Sequence, residues 1–134
     1  MTTFALDTNI ISYILKENPR VLSRVRHVLR VGDKIVIPPL VYYEVRRGFL
    51  FKDAPVQAAA FKRFCHKVPV GRMARKILDE GARVYAALRK QGRPIEDADI
   101  LIAAFCIGNG YTLVTNNIRH FEGINGLRLA DWAE

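Results

Sequence analysis

Asp7 stands directly behind a short apolar run, in Phe4-Ala5-Leu6-Asp7-Thr8-Asn9, and a helix-like stretch begins right after it. The same grammar returns near the other end, where Thr112-Leu113-Val114 runs into Thr115-Asn116-Asn117. Between them lie Glu44, within a candidate helix, and Asp97 and Asp99, at the start of another. In open α/β sheets, ligands bind outside the carboxyl ends of the strands, near the switch point in strand order. An acid at the end of the first strand is therefore placed to hold something. Several carboxylates gathered there repel one another unless a cation sits among them. An all-oxygen donor set suits a hard ion, Mg²⁺ or Mn²⁺.

Each acid has other uses. Asp7 is a candidate metal ligand, an aspartyl nucleophile, a phospho-acceptor, or the cap of the helix behind it. A phosphatase-type nucleophile calls for a second aspartate two residues on, and that position holds Asn9. A phospho-acceptor calls for acidic neighbours before the strand-end aspartate, and none is present. Glu44 has Arg47 as a helical-spacing partner. Asp97 suits an N-cap, and Asp99 is favoured by the helix dipole. Yet Asp99 leads into Ile100-Leu101-Ile102-Ala103-Ala104, a run that must pack on a sheet. A carboxylate buried beside that face is costly unless paired or metal-bound.

The elements that carry these residues alternate. Phe4-Ala5-Leu6 and the β-branched Ile35-Val36-Ile37 read as strands, Val68-Pro69-Val70 as a short strand broken by proline, and Tyr111–Val114 and Leu127-Arg128-Leu129 as the last two. Helical patterns cover Ile10–Leu15, then Val21 to Leu29, about Leu40 to Phe51, on to His66, Met73 to Leu88, and Asp97–Ile107. His120 falls in a loop. Asp53-Ala54-Pro55 separates two helices that form a hairpin. This is one domain over residues 1–134, α/β in class. It is read as a three-layer α/β/α arrangement with a short, mostly parallel sheet of about four to five strands.

Half of the residues are hydrophobic, enough for a core and against disorder. The net charge of +8 favours a polyanionic partner, nucleic acid above all. Cys65 and Cys106 each follow a phenylalanine and read as thiols in apolar faces, not as metal ligands. The longest apolar run, Ile100–Ile107, is too short to span a bilayer, and no basic leader opens the chain. The expected compartment is the cytoplasm, with no membrane partner.

Together these pieces resemble a PIN-domain ribonuclease of the VapC toxin type. The matching segments are Leu6-Asp7-Thr8-Asn9, Glu44 with Gly48, Asp99–Ala104, Leu113-Val114-Thr115-Asn116-Asn117 with Phe121, and the tail Gly126–Trp132. The resemblance runs the length of the chain, and its strength lies in the ordered set. It implies Mg²⁺ ligands in Asp7, Glu44 and Asp99, with Thr115 beside them and Mn²⁺ as a substitute. Family members often carry an acid where this chain has Asn117, and some where it has His120. A carboxamide brings no charge, so a second ion would be held less firmly. Asp97 is left between an outer-sphere role and its cap.

The resemblance further implies hydrolysis of RNA phosphodiesters, tRNA among them, a cognate antitoxin, and a homodimer. Arg46, Arg47 and Arg93 are candidate RNA contacts, and Arg72, Arg75, Lys76, Arg89 and Lys90 could line a groove beside Asp97 and Asp99. Tyr42, Tyr43, Phe49, Leu50 and Phe51 are more apolar surface than one amphipathic helix buries, which suggests a partner site. Two other readings remain at this stage. One is a non-catalytic RNA-binding PIN domain, for which Asn117 speaks. The other is a metal-dependent DNA nuclease of the related 5′-nuclease superfamily.

Overall fold

A computed structural model describes residues 1–134 and places four strands in one sheet. The strands are β1 (Thr3–Leu6), β2 (Lys34–Val36), β3 (Thr112–Val114) and β4 (Arg128–Ala130). Their order is β2-β1-β3-β4, and every pairing is parallel. Seven helices flank the sheet in the three-layer arrangement: α1 (Thr8–Leu15), α2 (Pro19–Arg30), α3 (Pro39–Lys52), α4 (Pro55–Lys67), α5 (Arg75–Lys90), α6 (Asp97–Asn109) and α7 (Ile118–Phe121). Parallel strands need both faces covered, and their residues accordingly read as unbroken apolar runs. Ala5, Leu6, Leu113 and Val114 have no exposed surface.

The chain leaves β1 for β2 on one side, then crosses to β3 on the other. The crevice between the carboxyl ends of β1 and β3 is therefore the switch point. Its register sets Leu6 against Val114, so the next residues, Asp7 and Thr115, emerge side by side.

Three expectations need correction. The Val68-Pro69-Val70 strand shrinks to a single parallel bridge, Ile37 with Val70. Ile37 N–H donates to the Pro69 carbonyl at 2.9 Å and its carbonyl accepts from Gly71 N–H at 2.8 Å. Proline has no N–H with which to extend the ladder. His120 lies not in a loop but in α7. The end of α6 also runs on to Asn109, where Gly110 in a left-handed conformation stops it.

Gly81 earns its place by packing. A β-carbon there would stand 2.9 Å from Leu101 Cδ2, so its absence lets α5 and α6 approach closely. The α3–α4 hairpin turns at Asp53, at φ 51°. Phe61 of α4 is buried, with the Tyr42 and Phe49 rings at 5.6 and 6.3 Å. The expected surplus of apolar surface thus divides. Phe49 packs inward, while Tyr43, Leu50 and Phe51 remain exposed, Phe51 at 91 %. Cys65 and Cys106 are both free, and burial pushes both thiols up from their ordinary range.

This division predicts that Phe61→Ala costs about 3–5 kcal/mol of stability. Phe51→Ser should stay within about 0.5 kcal/mol of the parent. Urea unfolding of both variants checks the contrast.

Candidate active site

Asp7 is 7 % exposed, in extended conformation between β1 and α1. Its N–H donates to the Val114 carbonyl at 2.9 Å, which continues the β1–β3 ladder past the strand end. Its Oδ1 accepts from Thr8 N–H at 2.8 Å and its Oδ2 from Thr115 Oγ1 at 2.8 Å. Thr115 is fully buried, and its Oγ1 also accepts from Asn117 N–H at 3.0 Å. That second bond leaves the hydroxyl proton for Asp7. Capping and cleft are one role here, because the carboxylate that starts α1 also faces the crevice. Burial raises its pKa above the usual carboxylate range and the Asp99 charge adds to this, while the bonds from Thr115 and Thr8 and the charge of His120 oppose it.

Glu44 projects from α3 beside the buried Val41 and Val45. Its Oε1 accepts from Thr8 Oγ1 at 2.9 Å, and its Oε2 lies 3.8 Å from Arg47. Burial again raises the pKa, and Asp99 and Asp7 raise it further against the Thr8 bond and Arg47. Asp99 comes from the first turn of α6, where that helix emerges from the core. Its Oδ2 is 2.8 Å from His120 Nε2. The three acids share one cleft of about 450 Å³, whose wall also carries Thr8, Asn9 and Lys16.

The remaining sequence candidates separate. Asn9 lines the cleft, and its Oδ1 accepts from Asn116 N–H at 3.3 Å, which ties α1 to the loop after β3. Asp97 does not cap α6: Glu96 occupies the N-cap, and Asp97 is exposed one residue inside. Asn117 is exposed and does not line the cleft. Arg47 lies over the Tyr43 ring at 5.1 Å as well as beside Glu44. The charge of Arg46 acts on Cys65 of α4. Arg89 sits on the Tyr85 ring at 4.9 Å.

Sequence reasoning missed the contact of His120 with Asp99 and the cleft role of Ser12, Tyr13 and Lys16. The second had a signal. Thr8, Ser12 and Lys16 recur every fourth residue, which sets them on one face of α1.

The donor set fits a hard cation. Three mutually repelling carboxylates face one cleft, and the donors are oxygens. As they stand, no three His, Cys, Asp or Glu side chains lie close enough together to hold a metal ion between them. Mg²⁺ suits such an open arrangement, since it keeps several waters and takes one or two carboxylates.

A PIN-domain family model matches residues 4–127. The chain is 32 % identical over 134 residues to the tRNA(fMet)-specific endonuclease VapC of Shigella flexneri, covering 99 % of this chain and 100 % of that protein. It is 29 % identical over 132 residues to ribonuclease VapC1 of Haemophilus influenzae, with 98 % of each covered. Among solved structures it is similar to VapBC2 from Rickettsia felis bound to a promoter DNA fragment. The TM-score is 0.92 at 26 % identity, covering 98 % of this chain and 99 % of that one.

The buried Asp7 generates a prediction about stability. An acid whose pKa is raised by folding favours the folded state when protonated, and that support is lost as pH rises through the folded pKa. Wherever Asp7 ionises, the fold carries the cost of a buried charge. Asp7→Asn keeps the acceptor for Thr8 and removes the charge, so it should melt at or above the parent at pH 7, with the difference shrinking in acid. Thr115→Val strips a donor from the charged oxygen and should cost about 1.5–3 kcal/mol. Melting curves across pH decide. A strongly destabilised Asp7→Asn would mean that the local cap outweighs the charge.

Proposed function

Because the chain belongs to the PIN-domain family and to its VapC ribonucleases, we propose that it is an Mg²⁺-dependent endoribonuclease and the toxin of a toxin–antitoxin pair. The observation that carries this is the convergence of Asp7, Glu44 and Asp99, from three separate elements, in one cleft at the switch point. In this reading Asp7 and Asp99 hold the cation, with Mn²⁺ as a substitute. Glu44, steadied by Thr8 Oγ1, faces it from α3. Thr115 fixes the Asp7 carboxylate by its hydroxyl, and Asn9 holds the loop behind it. A divalent cation bound there supplies an acidified water and neutralises charge on the scissile phosphate. Lys16 and Arg47 bring positive charge to the cleft edge, which an anionic substrate requires.

The substrate class we assign is tRNA, as the name of the Shigella relative states for that protein. The partner we assign is an antitoxin. An apolar groove of about 320 Å³, lined by Ile11, Leu15, Val45 and Phe49, shares Thr8, Lys16 and Glu44 with the cleft. A partner segment seated there reaches Glu44, and Tyr43, Leu50 and Phe51 offer it further apolar surface nearby on α3. No helix is long and apolar enough to cross a membrane, and the cytoplasm is where this activity would meet its RNA. Against the non-catalytic reading stand the three acids, all present on one cleft, and relatives named as ribonucleases.

Labelled RNA and DNA, with and without Mg²⁺, test the proposal. RNA should be cut only with the divalent ion. Asp7→Asn and Asp99→Asn should each lower the rate by about 100-fold or more, the scale of losing a group that holds the cation. Cleavage in chelator, preference for DNA, or near-parental activity of either variant would overturn it.

A further inference from the structure

Beside the acidic cleft lies a second, basic pocket of about 320 Å³. One wall is the loop before α6, with Arg93 and Pro94. The other is α7 and the residues after it, with Arg119, His120 and Gly123. His120 belongs to both sites, since it lines this pocket while its Nε2 contacts Asp99 Oδ2 at 2.8 Å. The pocket and the cleft are therefore one imidazole apart.

Neither arginine has an acidic partner. The ion pairs of the molecule are Arg47 with Glu44, Arg83 with Glu80, and His120 with Asp99. Arg93 is also seated in a specific way. A β-carbon on Gly123 would overlap Nη1, Cζ and Nη2 of Arg93, so the guanidinium occupies the space a side chain at 123 would fill. A guanidinium lying against Gly123 and left without a carboxylate keeps its fork of donors for an anion. Two of them in one concavity repel each other until an anion enters. The neighbouring cleft has the opposite problem, since its three acids repel a nucleic acid strand.

We propose that this pocket seats a backbone phosphate of the RNA next to the one being cut, with Arg93 and Arg119 as its donors and Gly123 as the residue whose missing side chain gives Arg93 its place. The proposal rests on the reading of the chain as a ribonuclease. It adds a direction to that reading: the strand passes from the cleft over His120 toward the end of α7. Phosphate contacts of this kind set register and orientation and carry no base identity.

The test uses the full chain and the RNA that the parent cuts. RNA binding is measured across a salt series with Mg²⁺ in an Asp7→Asn background, and kcat and KM are measured in the parent background. Arg93→Gln and Arg119→Gln should each weaken binding about tenfold, the scale of one charge-assisted contact. Each should also reduce the salt slope by about one. KM should rise more than kcat falls. Gly123→Ala removes no charge, yet it displaces Arg93 and should weaken binding as much as Arg93→Gln does. The double variant should lose no more than either single one. Melting temperatures should hold, because the atom that must move is the far end of a flexible side chain.

Parental affinity and salt slope in both arginine variants would overturn the subsite while leaving the ribonuclease reading intact. Fully additive losses from Gly123→Ala and Arg93→Gln would also overturn it. So would variants that lose the antitoxin and not the RNA, which would make the pocket a seat for an acidic protein segment. A parent that neither cuts nor binds RNA would remove the ribonuclease reading, and the subsite with it.

Discussion

Asp7 is a carboxylate taken out of water, and most of the architecture around the cleft follows from what it needs. A buried charge is costly unless hydrogen-bonded or paired. Its two oxygens are each served by one donor, Thr8 N–H from the start of α1 and Thr115 Oγ1 from the end of β3. The Thr8 donor is local, but Thr115 is in place only when β1 and β3 lie side by side in the Leu6–Val114 register. A slip of one residue would send Thr115 to the other face of the sheet. The parallel pairing of strands far apart in sequence and the local start of α1 thus meet in one side chain.

The other two acids reach the cleft by the same economy of position. Glu44 rides on α3 next to the residues that bury that helix, and Asp99 sits where the very apolar α6 first leaves the core. The Asp99 charge lies near enough to make ionising Glu44 more costly. Around them the sign of the charge changes abruptly. Lys16 lies in the cleft wall, Arg47 beside Glu44, and Arg93 and Arg119 across His120. The excess of basic residues is therefore organised. Positive groups stand next to the acids, where a polyanion approaching those acids needs them.

The acids were legible because each is defined by its neighbours in sequence. Asp7 follows a strand, Glu44 interrupts an apolar helix face, and Asp99 opens an apolar helix. Contacts that span the fold were not. The Asp99–His120 pair joins residues on different elements, and α7 is a single turn, too short to show a helical period. Asp97 looked like a cap because aspartate favours caps, yet Glu96 takes the N-cap backbone conformation and Asp97 falls one residue inside. Phe49 and Phe51 are indistinguishable in sequence. They part only when α4 brings Phe61 against one of them. The proline that makes Val68-Pro69-Val70 a weak strand in sequence also keeps it from being one, since a single bridge forms, at Val70, next to a residue that cannot donate.

The cleft also links folding to occupancy. Burial and the neighbouring Asp99 both disfavour the ionised form of Asp7, and Asp7 and Asp99 do the same to Glu44. In the absence of a cation the folded chain bears that repulsion, while the unfolded chain, with its acids in water, does not. A ligand that binds the folded state alone stabilises it according to its concentration and affinity. A divalent ion among these acids therefore relieves a strain that the fold itself creates. The same carboxylates that weaken the empty protein become the source of its affinity. His120 moderates this unevenly, since it contacts Asp99 and its charge acts on Asp7, while Glu44 has only the Thr8 bond and Arg47 to offset the other two acids. Glu44 is also the acid on the wall of the cleft that the apolar groove adjoins.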